Sequence, residues 1–490
     1  MTAGIIFIFF ALYTLLLFVI SWFTSRKADN ESFFVGNRAS PWPAVAYGMI
    51  GASLSGVTFI SIPGWVGSTR FSYLVVVLGY VIGYYAIAYL LLPMYYRLKL
   101  TSIYTYLESR FGFWSYKTGA LFFLISRVIG ASFRLYLVVS VLQLFVFGVW
   151  NIPFWLTTAI FIVLIWLYTF RGGIKTIVWT DTLQTTFMLA AVFISVALVA
   201  SSLDLSLIDL GKRVAESDLS RIFYLTEWRD ERYFLKQFFS GVFIAIVMTG
   251  LDQDMMQKNL SCRSLGDARK NMITLGWVLV PVNLLFLFLG ASLYIYAGEM
   301  GTGIPVLTDR LFPEMAVYHL GAVAGTAFLI GLISAAYSSA DSAITALTTS
   351  FSVDILGINR RNITRASRVR IRMWVHLFIS ATVLAVIVVF RMINDQAVID
   401  ELFTIAGYTY GPLLGLYSFG LFTHYGVRDR WVPLVAFLSP VACYLVSINS
   451  GYLFNGYQFG FELLIMNGIF TFAGLWLVKK NGKDMIRTLV

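Results

Sequence analysis

Residues 333–347 read ISAAYSSADSAITAL, a carboxylate and a run of hydroxyls inside an otherwise aliphatic and aromatic stretch. Ala335, Ser338, Ser339 and Ser342 recur at i, i+3, i+4 and i+7, so on a helix they share one face. Ser334, Asp341 and Thr345 lie on or beside that stripe. Serines need no special explanation, since they bond back to their own helix or join neighbouring helices. An aspartate at mid-membrane costs about 2.5–3.5 kcal/mol and calls for a partner. A small hard cation, held by hydroxyls, a carboxylate and spare backbone carbonyls, is the economical one. Polar glue between helices is the competing reading. Spare carbonyls require an unwound helix, and GASLSG (51–56) offers one.

A second acid, Asp181, stands eight residues past Gly173, about 12 Å up a helix, among Thr180, Thr182, Gln184 and Thr185. It suits either a cation site or an ion pair with a membrane arginine. Arg127 and Arg134 are seven apart and project from one side of a helix, Arg134 the deeper. A guanidinium at that depth serves as counter-charge for an anionic substrate or as a structural partner for a buried acid. His319, His376 and His424 lack acidic partners at helical spacing and read as structural. No H-E-x-x-H, phosphate-binding loop or Ser–His–Asp grouping occurs, so an enzyme reading has no support.

The elements that must carry these groups are membrane helices. The chain has 490 residues, 59% hydrophobic and only 12% charged, about half the charge of a soluble domain. Apolar runs of about 18–25 residues recur along its whole length, too long and continuous for barrel strands. Thirteen spans are expected, from 5–23 to 461–478. Lys and Arg crowd the loops of one side, including 253–270, 353–372 and the tail 479–490, which orients the N-terminus outside and the C-terminus in the cytoplasm. The net charge of +11 is then a topology signal facing anionic lipid, with no nucleic acid implied. The first span lacks a basic leader and reads as a retained helix. Cys262 and Cys443 are not positioned to pair, and no disulfide or metal framework is indicated.

Helix breakers cluster in the second span (Gly48, Gly51, Gly56, Pro63, Gly64), the seventh (Gly241, Gly250) and the eleventh (Gly407, Gly411, Pro412, Gly415). Breakers in corresponding helices five apart are what an inverted-repeat transporter shows. The expected organisation is one transmembrane domain over 1–490: an extra helix at 5–23, repeats at 42–200 and 236–421, and two peripheral helices at 431–478.

Four ordered blocks carry a resemblance that spans nearly the whole chain. YTFRGGIKTIVWTDTLQ (168–184), GLDQDMMQKNL (250–260), GASLSGVTFISIPG (51–64) and AAYSSADSAITALTTSFSVDIL (335–356) resemble motifs of the sodium:solute symporter family. That resemblance implies an all-α bundle with a LeuT-like core of two inverted five-helix repeats, working by alternating access. It implies a first sodium ion held by the carbonyls of Gly51, Leu54 and Ala335 and the hydroxyls of Ser338 and Ser339. Some members bind a second sodium; here its residues would be Asp181, Ser338, Asp341 and Ser342, with Asp341 an extra carboxylate relative to the sialic acid carriers. Ser55, Thr58 and Arg134 match substrate positions of those carriers, and Phe59, Tyr73 and Tyr80 would form an aromatic wall.

The expectation is therefore a sodium-coupled symporter in the plasma membrane, not an enzyme, carrying one sodium ion or two and no organic cofactor, with the monomer as the working unit. Its substrate is expected to be a small organic anion such as sialic acid or a sugar acid. A neutral sugar or polyol is the alternative, ahead of iodide, a monocarboxylate or an amino acid. A channel or sensor on the same scaffold is a remote reading.

Overall fold

A computed structural model describes residues 3–26, 29–393, 398–457 and 459–480. Of the basic tail read as cytoplasmic, 481–490 lie outside the described residues.

Continuous apolar sequence in lipid leaves helix as the way to satisfy backbone amides, and helix is what forms. In chain order, α1 is Ala3–Ser25, α2 Trp42–Thr69, α3 Tyr73–Arg97, α4 Phe113–Phe147, α5 Phe154–Thr169 and α6 Ile174–Ser202. Then come α7 Phe234–Gly250, α8 Gln253–Leu260, α9 Leu265–Met300, α10 Gly321–Ile355, α11 Arg365–Ile393, α12 Val398–Phe422, α13 Val432–Ile448 and α14 Leu463–Leu477. Among the described residues nine helices are long and apolar enough to cross a membrane, and the bent pair α7–α8 makes a tenth. Pairing between extended segments is limited to isolated bridges.

The helices α9 and α11 begin earlier than hydropathy suggests, at Leu265 and Arg365, because their charged first turns are helical too. Ser264 caps α9 by accepting from Asp267 N at 3.1 Å. The connection between α6 and α7 carries a short helix, Leu207–Glu216.

Two helices are interrupted. At Ser55, φ 52° and ψ 175° break α2 in the middle. Past α7 the chain bends by 65° before α8, whose first turn is capped by Asp252 accepting from Asp254 N at 2.8 Å. The glycines of the eleventh span do something else. The helix α12 continues through Pro412, and Cβ atoms at Gly411 and Gly415 would clash with Asn467 and Thr471 of α14. They are notches for close packing rather than a break.

One expectation is corrected. The segment 253–270, read as one of the basic cytoplasmic loops, begins with a helix whose every residue from Gln253 to Leu260 is buried. Its polar composition lowers hydropathy, but its side chains are spent on internal contacts.

Candidate functional site

At the centre stands α10, every residue of which from Gly331 to Ser350 is buried. It packs against α6, α2 and α4. Both α2 and α10 converge on the same two turns of α6. Gly48 of α2 lies so close to Asp181 that a Cβ would sit 2.8 Å from the aspartate's own Cβ. The amide of Gly51 donates to Thr185 Oγ1 at 3.1 Å, and from α10 the hydroxyl of Ser338 donates to Asp181 Oδ1 at 2.7 Å.

The break at Ser55 ends a helix four residues after Gly51, and the last four carbonyls of a helix have no intrahelical partner. The carbonyls of Gly51 and Leu54 belong to that last turn. On the facing helix Ala335, Ser338 and Ser339 are all buried. Because Ser338 gives its proton to Asp181, its lone pairs remain available. Among the described residues Ser339 makes only a long 3.2 Å bond to Ala336 O. Neutral oxygens of this kind fit a small hard cation. Among the described residues no cluster of three His, Cys, Asp or Glu suited to a metal ion occurs.

The second expected set gathers beside the first. Asp181 Oδ2 accepts from Lys258 Nζ at 2.6 Å, with both residues 1% exposed. Of the two readings open for Asp181, an ion pair is therefore present, with a lysine in the arginine's place. Asp341 accepts from the Tyr168 hydroxyl at 2.7 Å and from Ser342 N at 2.5 Å. Ser342 Oγ, Thr345 Oγ1 and both amide atoms of Gln184 are buried with no hydrogen-bond partner.

A cavity of about 80 Å³ opens at the break in α2. Of the expected substrate residues, Ser55, Thr58, Tyr73, Tyr80 and Arg134 line it. Phe59 faces elsewhere, packed among Phe286, Phe312 and Phe328 with ring centroids 5.3–6.1 Å apart. Tyr84, Thr249 and Asn283 also line the cavity and were not anticipated. The hydroxyls of Tyr73 and Tyr80 pair at 3.1 Å.

The two arginines divide the readings open to them. Arg127 is in ion-pair contact with Asp254 and 3.8 Å from Asp252 Oδ2, which also accepts from the Tyr410 hydroxyl at 2.5 Å. Both arginines line the cavity and keep Nε buried without a partner among the described residues, but Arg134 forms no ion pair among them.

Comparison with known proteins places the chain in a family. The profile of the sodium:solute symporter family matches residues 33–425. The sodium/sialic acid symporter SiaT of Proteus mirabilis is 23% identical over 433 residues, covering 85% of this chain and 84% of that protein. NanT of Aliivibrio fischeri, also a sodium/sialic acid symporter, is 23% identical over 412 residues, covering 81% and 78%. A solved outward-open, substrate-bound sodium-coupled sialic acid symporter superposes with a TM-score of 0.83 at 18% identity, over 97% of this chain and 99% of that one. The interrupted helix, the hydroxyl face and the profile match over most of the length lead to one conclusion: the chain belongs to the sodium:solute symporter family, whose members are membrane transporters and not enzymes.

Proposed function

We propose that this protein couples inward movement of sodium to uptake of a small organic anion, by alternating access. The observation that carries the reading is the convergence of the broken turn of α2 and the hydroxyl face of α10 on residues 181–185 of α6. A sodium ion held by the carbonyls of Gly51, Leu54 and Ala335 and the hydroxyls of Ser338 and Ser339 would tie those helices together. Its release would free them to separate. Each charge entering contributes about 2.3 kcal/mol per 100 mV of membrane potential. Asp181 acts here as a positioning residue, turning the Ser338 hydroxyl so that its oxygen faces the ion.

Arg134 would receive the substrate's carboxylate, with Ser55, Thr58, Tyr73 and Tyr80 contributing hydroxyls and ring faces around it. Sialic acid or another sugar acid fits this combination, and two relatives of this chain carry sialic acid in their names. The carrier would comprise thirteen spans in the plasma membrane, N-terminus outside, with inverted repeats at 42–200 and 236–421, and act as a monomer. Asp181, Ser338, Asp341 and Ser342 form a second, acidic set beside the first site.

The test is uptake of radiolabelled sialic acid into proteoliposomes with sodium outside, and with potassium in its place. Uptake that needs sodium and fails in Arg134→Gln supports the reading. Equal uptake in both salts rejects the coupling, and sodium-driven uptake of neutral sugars alone rejects the anion.

A further inference from the structure

Two carboxylates, Asp181 and Asp341, are buried in the middle of the bundle within electrostatic reach of each other, and the ammonium of Lys258 is buried with them. Lys258 Nζ donates to Asp181 Oδ2 at 2.6 Å while Ser338 Oγ donates to Oδ1 at 2.7 Å, so both oxygens of that carboxylate are engaged. A lysine this far from water persists only against an opposite charge.

The lysine is delivered from a fixed base. The helix α8 is set off by the 65° bend and capped by Asp252. Gln257 Nε2 donates to Thr349 Oγ1 of α10 at 2.9 Å, and the Tyr96 hydroxyl donates to Asn259 O at 2.8 Å. These bonds on either side of Lys258 in sequence leave its side chain little choice but the gap between α6 and α10. There it meets a carboxylate and a serine hydroxyl, the same donors a small monovalent cation would seek. Ammonium and sodium carry the same charge, so a second cation at this carboxylate would meet the repulsion of the Lys258 ammonium 2.6 Å from Oδ2.

We propose that Lys258 is a tethered cation that fills the place a second sodium ion would take, so that the carrier binds one sodium ion. The inference rests on the sodium-coupled reading above and deepens it. A tethered charge returns with the protein on every cycle, so it neutralises the acid without adding to the driving force. Asp341, whose donors are the Tyr168 hydroxyl and the Ser342 amide, faces the same ammonium electrostatically and does not displace it from Asp181.

The experiment is equilibrium binding of radioactive sodium alone to the purified full-length protein, with N-methylglucamine as the inert cation. One ion per wild-type protein is expected, two for Lys258→Gln, and one again for Lys258→Gln combined with Asp181→Asn. Two ions on the wild type overturn the tethered cation, and this measurement needs no variant to fold. A folded Lys258→Gln, judged by size-exclusion and circular dichroism, that still binds one ion overturns it as well. Absence of any sodium binding by the wild type refutes the sodium-coupled reading itself, a result distinguishable from both.

Discussion

Arg127 and Arg134 stand two turns apart on one face of α4, both bordering the cavity, and differ in their pairing. The first is paired with Asp252 and Asp254, whereas the second forms no ion pair among the described residues. Identical side chains on one helix thus separate into a structural cation and an available one.

Substitution should distinguish them. Arg134→Gln removes a charged hydrogen-bond donor without stranding an acid, so loss of about 1.5–3 kcal/mol of anion binding is expected. That is roughly a 10- to 150-fold weaker half-saturation for sialic acid uptake. Thermal unfolding in detergent should hardly change.

Arg127→Gln should do the reverse. It leaves Asp252 and Asp254 buried without their cation, a change that costs about 3–5 kcal/mol. A fall in unfolding temperature and a low yield of folded protein are the expected readouts, in the absence of any substrate.

Ser339→Ala removes one neutral oxygen from the proposed sodium site. The expected effect is about 0.5–1.5 kcal/mol, or up to roughly tenfold in the sodium concentration for half-maximal uptake. Because coupling between binding sites is reciprocal, substrate affinity at fixed sodium should fall along with it. A change in substrate affinity with sodium dependence intact would exclude Ser339 from the ion's shell.

Gly48→Ala and Gly51→Ala both push α2 off α6, and overpacking of this kind costs about 1–3 kcal/mol. They differ in rescue. The added methyl at Gly51 clashes with the Thr185 hydroxyl, so Thr185→Ser, which frees the hydroxyl to rotate, should restore part of the stability. At Gly48 the neighbour is the Cβ of Asp181, which no side-chain rotation moves. A double-mutant cycle read by thermal unfolding checks the difference.

At the polar end of the bundle, Glu108 accepts from Arg360 Nη1 at 2.8 Å, and the Arg360 guanidinium beside it holds its carboxyl below the ordinary 4.5. A carboxylate with a depressed folded-state value contributes stability that is present above the unfolded value and lost as pH falls through the folded one. The pair is partly exposed, so the contribution is expected to be under about 1 kcal/mol. The acid limb of the unfolding-temperature profile, below pH 4.5, should be flatter in Glu108→Gln.

Much of this was readable from residues alone, for identifiable reasons. Continuous apolar runs leave helix as the available backbone solution, so the membrane helices other than α8 lie close to where hydropathy put them, with α9 and α11 starting earlier. The break in α2 was legible because GASLSG concentrates small residues where no packing demand explains them all. Lys258 was missed because a hydropathy average treats an eight-residue polar helix as a loop, and only the bend after Gly250 reveals that the chain folds back inside. Phe59 was expected in an aromatic wall with Tyr73 and Tyr80, but one residue past Thr58 its ring turns away to pack on Phe286, Phe312 and Phe328, a partner choice its residue type does not reveal. The eleventh-span glycines were visible, but composition does not distinguish a notch from an interruption.

The notches at Gly411 and Gly415 have a mechanical effect. With Asn467 and Thr471 seated in them, and Asn467 also donating to the carbonyls of Gly407 and Tyr408 at 3.0 and 2.8 Å, the last helix is keyed to α12 along its length. The two should travel as a rigid strut, so the rocking proposed above would have to flex elsewhere, as at the break in α2.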